Sequence, residues 1–291
     1  MKHWITRISL GLVVVGLLAL AGSCNPFDPL AAAGKSGLKL YWVSENAVYR
    51  SDLDGSNIET IDDTLVATTL YDMAIDPENK KIYWSDTNNF DVYRADYDGS
   101  NRVKVLDSAS AYRFDVDPYN DKIYWTSGNN DIHRNNLDGT GFETVFTAPV
   151  NIGDIALDLV NERIYWSAGA TIYHGPLGAP LVVDDSFPDP GANITQIALD
   201  IPGGKIYWVD FAAPVIKKAN LDGTNITSIS PSSARGFAVD AYEGKIYWSV
   251  PTASGGMRIL RRGTDISGSS ETVIDFGAPN EAYGLVLNLW P

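Results

Sequence analysis

The sequence predicts an all-β fold: a six-bladed β-propeller of four-stranded blades, its ring closed by a C-terminal innermost strand in the first blade. Three observations point there. The tetrapeptide Lys-Ile-Tyr-Trp stands at Lys81–Trp84, Lys122–Trp125, Lys205–Trp208 and Lys245–Trp248, with near copies at Lys39–Trp42 and Arg163–Trp166. Its six tryptophans lie 42, 41, 41, 42 and 40 residues apart, a fixed period that marks a repeat architecture. Each period holds four short β patterns separated by turn signals, and no stretch carries a helical period of useful length.

The first residues stand apart from the repeats. Lys2 and Arg7 precede an apolar run from Ile8 to Leu20 and a small-residue stretch that ends at Cys24. The run is short for a bilayer span, and its flanks suit a secretory signal peptide. Cys24 is the single cysteine, which excludes a disulfide within the chain. The segment resembles a bacterial lipobox, with Leu20 one place earlier than usual. Removal of residues 1–23 and acylation of Cys24 are therefore expected. Several acyl chains, at about 0.8 kcal/mol per buried CH₂, would hold the protein firmly to a membrane. Residues 24–37 then read as a tether and residues 38–291 as the propeller.

Charge narrows the function. Without residues 1–23, 20 basic residues face 36 acids, so the charge of −14 becomes −16. No Lys/Arg cluster occurs, and no nucleic-acid partner is expected. The acidity suits an exported surface that meets cations or basic partners.

The second period shows the blade pattern: Asp72–Asp76, Lys81–Asp86, Asp91–Tyr97 and Arg102–Leu106. An Asp-Gly turn at Asp98-Gly99 joins the last two. Adjacent Tyr and Trp point to opposite faces of their strand, so each covers one of the two neighbouring blades. Each ring buries ~150–250 Å², roughly 4–6 kcal/mol at about 25 cal/mol/Å² before entropy is subtracted. The innermost strands begin at Asp72, Arg113, Asp154, Gln196, Gly236 and Gly284. The first period lacks such a strand and the chain has one left over at its end. Gly284–Asn288 is therefore expected beside Lys39–Val43.

These repeats resemble the YWTD, or class B, repeats of low-density lipoprotein receptors, from Leu38 to about Trp290. Recurring Leu-Asp-Gly turns at Leu53–Gly55, Leu137–Gly139 and Leu221–Gly223 strengthen the likeness. Asp86 and Asp210 keep the motif's aspartate; Ser44, Ser127, Ala168 and Val250 stand in its place. The resemblance implies a six-bladed propeller that binds rather than catalyses.

The candidate sites are few. No nucleophilic triad and no zinc spacing occur, and no cofactor is expected. His133 and His174 occupy repeat positions held elsewhere by Tyr49 and Arg50, which makes them structural. Asp-Leu-Asp-Gly-Ser-Asn at Asp52–Asn57 lacks the later Glu of a calcium loop. The aspartates that end the inner strands read as turn caps. The strand starts are more informative. Asp72, Arg113, Asp154 and Gln196 replace the usual glycine, and Asp115 replaces a small apolar residue. Buried charge costs stability unless paired. These five residues are read either as a network plugging the axial channel or as a polar ligand-binding mouth. They fall at the end of the ring where links and post-Trp loops gather, with Phe90, Phe187 and Phe211. The expected function is an envelope-anchored binding or scaffold propeller that recognises a protein, peptide or glycan on that loop face. The alternative is a metal-assisted hydrolase with a cation held by Asp72, Asp115 and Asp154.

Overall fold

The computed structural model describes residues 38–44, 47–64, 70–107, 109–231, 234–265, 269–276 and 283–288. The expected signal segment, the tether and Cys24 lie outside them. The described residues form 24 strands, β1 to β24 in chain order, in six antiparallel four-stranded sheets. The innermost strands are β4 (Leu70–Asp76), β8 (Arg113–Asp117), β12 (Ile152–Asp158), β16 (Ile194–Asp200), β20 (Phe237–Asp240) and β24 (Tyr283–Asn288). Each lies beside its neighbours around the ring. The second strands carry the Tyr-Trp motif: β1 (Lys39–Ser44), β5 (Lys81–Asp86), β9 (Lys122–Thr126), β13 (Arg163–Ala168), β17 (Lys205–Asp210) and β21 (Lys245–Pro251).

The ring closes as the leftover strand requires. β24 pairs with β1, Lys39 opposite Asn288 and Tyr41 opposite Val286, and completes the sheet begun by β1, β2 (Ala47–Asp52) and β3 (Glu59–Asp62). A bulge between Trp42 and Val43 shifts the register, so Val43 faces Tyr283.

The six Tyr-Trp pairs build the core. All twelve rings are at most 4% exposed. The Tyr of each blade shares an apolar cluster with the Trp of the next: Tyr41 with Trp84, Tyr83 with Trp125, Tyr124 with Trp166, Tyr165 with Trp208, Tyr207 with Trp248, and Tyr247 with Trp42. One motif therefore makes both faces of every blade interface.

The Asp-Gly turns also clamp neighbouring blades. Gly55 sits at φ 84°, and a Cβ there would lie 2.1 Å from the carbonyl oxygen of Val273 in the preceding blade. Gly139 meets the carbonyl of Val105 at the same distance. Only glycine offers both the left-handed backbone and the missing side chain. Basic residues on the third strands latch the same seams. Arg50 donates to the Tyr97 carbonyl at 2.8 Å, and Arg261 to that of Leu53 at 2.9 Å.

Two expectations are corrected. Phe187 does not lie on the loop face. It belongs to β15 (Asp185–Pro188) and is buried beside Trp208 with ring centroids 6.1 Å apart. Placing Phe187 on the loop face also takes 184–195 as one unbroken link, whereas that stretch contains a strand. Its Ser-Phe-Pro is too short and too Pro-flanked to signal one locally.

Candidate functional site: the axial channel

The inner strands run from the links to the tight turns. Their first residues therefore mark one end of the axis, the loop end, and their last residues the other. Asp72, Arg113, Asp115, Asp154 and Gln196 all line one axial cavity of about 270 Å³. The five candidates are thus brought together.

Their bonding follows from the strand edge. An innermost strand leaves N–H groups unpaired toward the axis, and each acid satisfies one on the next blade. Phe114 N–H donates to Asp72 Oδ2 at 3.0 Å, Leu157 N–H to Asp115 Oδ2 at 2.9 Å, and Ile197 N–H to Asp154 Oδ2 at 2.8 Å. The other oxygens of Asp115 and Asp154 accept from Val116 and Ile155. The serine after Trp holds the strand start: Ser85 Oγ accepts Asp72 N–H at 3.1 Å, and Ser167 Oγ accepts Asp154 N–H at 3.0 Å. The three bonds to the next blade join residues about one repeat apart, so local sequence does not display them.

Arg113 is buried at the loop end. Its Nη1 donates to Asp72 Oδ1 at 3.2 Å, and its guanidinium lies 4.5 Å from the Tyr71 ring centroid. Burial alone would lower its pKa; Asp72, with Tyr71 and Asp154, instead holds it above its usual value. Tyr71 meets Tyr112 edge to face at 6.2 Å. Neither tyrosine carries a signal in the sequence, because both sit in link-proximal positions without a repeat signature. Burial pushes the Asp115 carboxyl up to about 7, against the bonds from Leu157 and Val116. Burial likewise pushes Asp154 up to about 8, against the pull of Arg113. Gln196 donates from Nε2 to the Arg235 carbonyl at 2.7 Å, which fixes its amide. Its buried Oε1 has no partner.

The rest of the loop end carries exposed rings. Phe90 holds a positive φ of 61°, and its carbonyl accepts Ala109 N–H at 2.6 Å. Phe211 is 59% exposed. Asp86 and Asp210 cap their own loops, accepting from Asn88 and Ala212 at 3.0 Å each.

The remaining candidates are structural. His133 lies 4.4 Å from the Trp125 ring and bonds Thr144 Oγ1 through Nδ1 at 3.0 Å; burial lowers its pKa. His174 Nδ1 meets Arg163 Nη2 at 2.6 Å. Asp76, Asp117, Asp158, Asp200 and Asp240 each accept a turn N–H two or three residues on. The side chain of Asn288 lies outside the described set. Among the described residues no three His, Cys, Asp or Glu side chains form a metal-holding group. Asp72, Asp115 and Asp154 are each engaged by backbone N–H groups of successive inner strands.

No family model matches the chain. Over 127 residues it is 32% identical to the low-density lipoprotein receptor-related protein 5-like protein of Homo sapiens, covering 40% of this chain and 49% of that one. The chain thus spans about half the length of this curated relative. A chain from the crystal structure of a nidogen/laminin complex superimposes with a TM-score of 0.71 at 18% identity, covering 87% of this chain and 99% of that one. TolB from Acinetobacter baumannii gives 0.71 at 13% identity, covering 87% and 67%. These two likenesses concern the fold. Six sheets around an axis, each carrying one Tyr-Trp motif, define the class: an all-β six-bladed propeller. Over the matched 127 residues its repeats are similar to those of the low-density lipoprotein receptor-related protein 5-like protein.

Proposed function

We propose that this chain is a non-enzymatic binding propeller whose loop face recognises a protein partner. The observation that carries the reading is the polar cluster at the loop end of the axis. Arg113, Asp72, Asp154 and Gln196 stand where the repeat pattern elsewhere has glycine, and exposed Phe90 and Phe211 lie on strand-joining loops at the same end of the ring. Aromatic rings and buried arginine are favoured anchors in protein interfaces. A solved chain of similar fold comes from a nidogen/laminin complex, a complex of two proteins. A peptide or glycan would use the same donors and acceptors. The sequence supports export and an envelope location through acylated Cys24. Among the described residues no helix is long and apolar enough to cross a membrane.

The test is a pull-down from envelope extract with immobilised variants. A partner should be retained by the wild type, Asp54→Ala and Asp222→Ala, and weakened with Arg113→Ala or Asp154→Ala. Equal losses from both faces, with folding intact, would sink the reading.

A further inference from the structure

The channel is two-sided along its axis. Its loop half is polar. Its turn half is not: Ile75, Leu157, Leu199, Val239 and Leu287, each one residue before the end of its inner strand, line the same cavity. All five remain half-buried because the axis is the one direction in which their blades do not cover them. Around the turn-end rim stand Tyr119, Val160 and Tyr242, exposed by 68%, 80% and 50% at equivalent turn positions of three blades. Large apolar side chains exposed at the same end as an apolar-walled cavity are surface of the kind a ligand covers.

The polar half is unbalanced in its hydrogen bonding. Arg113, its cation, is engaged by Asp72 and stacked on Tyr71. Asp115 and Asp154 accept one backbone N–H per oxygen, which leaves further lone pairs. Gln196 is 94% buried by its 6% exposure, its amide is fixed through Nε2, and Oε1 has no partner. Burial favours the protonated form of both acids, so their free lone pairs, with Gln196 Oε1, serve a ligand best when a cation beside them draws the carboxyls into their ionised form; the site then offers acceptors and asks the ligand for donors. A primary ammonium carries three donors and no acceptor. An aliphatic chain attached to it matches the apolar half.

We propose that the channel binds a linear aliphatic amine, its ammonium group against Asp115, Asp154 and Gln196 and its carbon chain against Leu157, Leu199 and Val239, directed toward the turn face. From Asp154 to Leu157 along β12, or Gln196 to Leu199 along β16, the strand rises about 10 Å, at about 3.3 Å per residue, so both halves are within one short ligand's reach. The chain's net charge of −14 favours a cation at long range. A lysine side chain presented to the turn face has the same chemistry. This inference goes beyond the loop-face reading and does not rest on it.

Calorimetric titration of the full-length chain with butylamine, hexylamine, octylamine and hexanoate tests it. Hexylamine should bind at least tenfold more tightly than hexanoate. Each added methylene between butylamine and hexylamine should tighten binding about fourfold, as burial of a CH₂ does. Gln196→Met should reduce the preference for amine over carboxylate, while Leu199→Ser should reduce the gain per methylene. Both variants must keep the wild-type cooperative melt. Leu157→Ser replaces Leu199→Ser where the latter fails to fold. Equal binding of hexanoate, no gain with chain length, no amine binding at millimolar concentration, or well-folded variants that bind like wild type would each overturn the proposal. None of these results depends on a protein partner, so failure here leaves the loop-face reading to its own test.

Discussion

The blade seams and the axis were built from the same six repeats, yet they behave oppositely. At the seams every blade uses the same Tyr and Trp, buried to within a few percent of completeness. Along the axis equivalent positions hold Asp72, Arg113, Asp154, Gln196, Gly236 and Gly284. Repetition survives where a packing problem recurs six times. It lapses where six strands converge on one shared space. Even there the acids keep a structural duty, bracing the unpaired N–H groups of the next inner strand.

Three experiments sharpen that contrast. The largest effect should come from the one seam that local sequence cannot make. Deleting residues 283–291 removes β24 from β1 and leaves β4 and β20 without the strand between them. A single cooperative thermal melt should be lost. A truncation that melts like the intact chain would show that the ring does not need this closure.

A seam ring comes next. Trp125 is 4% exposed and donates from Nε1 to Asn135 Oδ1 at 2.9 Å. Trp125→Ala should cost about 3–5 kcal/mol, as large aromatic truncations in cores do, read as a lowered urea midpoint. A midpoint close to wild type would mean that the repeated rings are not the source of stability.

The smallest effect belongs to the axis and appears as a pH slope. Unfolded carboxyls titrate near ~4, whereas burial pushes Asp115 up to about 7. Between these values the folded state holds more protons than the unfolded chain. Stability therefore falls as pH rises from about 4 to about 7, and this contribution levels off above. Asp115→Asn should flatten that part of the curve. Asp154, pushed up to about 8, keeps a share of the slope. Urea midpoints at several pH values across this window would measure it. An unchanged slope would show that Asp115 ionises in the fold as freely as in water.

Much of the fold was legible because it is written six times. Period, Asp-Gly turns and the unmatched last strand together specify six blades and their closure. The channel residues were also legible, as breaks in a pattern: a charge at Asp115 stands out only because Ala74, Ala156 and Ala198 fill the equivalent place. Less was legible wherever a blade departs from its own template. Phe187 looked like a loop residue, since the fourth blade lacks the Leu-Asp-Gly turn that announces an outer strand. Its burial is set by its neighbours, Trp208 and the turn glycine Gly223, whose Cβ would fall 2.2 Å from the Phe187 ring.

By itself, then, the sequence determined the number of blades, the strands within them and the rings that fill the seams, because these depend on patterns of a few residues repeated at a constant interval. The tertiary structure alone decided what the axial groups do. Asp72 finds Phe114, Asp115 finds Leu157 and Asp154 finds Ile197 across separations of 42, 42 and 43 residues. Hydrogen bonds are short-ranged and directional, so such partners exist only once the ring has closed and brought one strand's edge against the next strand's acid. The same closure leaves Gln196 Oε1 without a partner and sets an apolar wall below it, which no stretch of the chain read alone reveals.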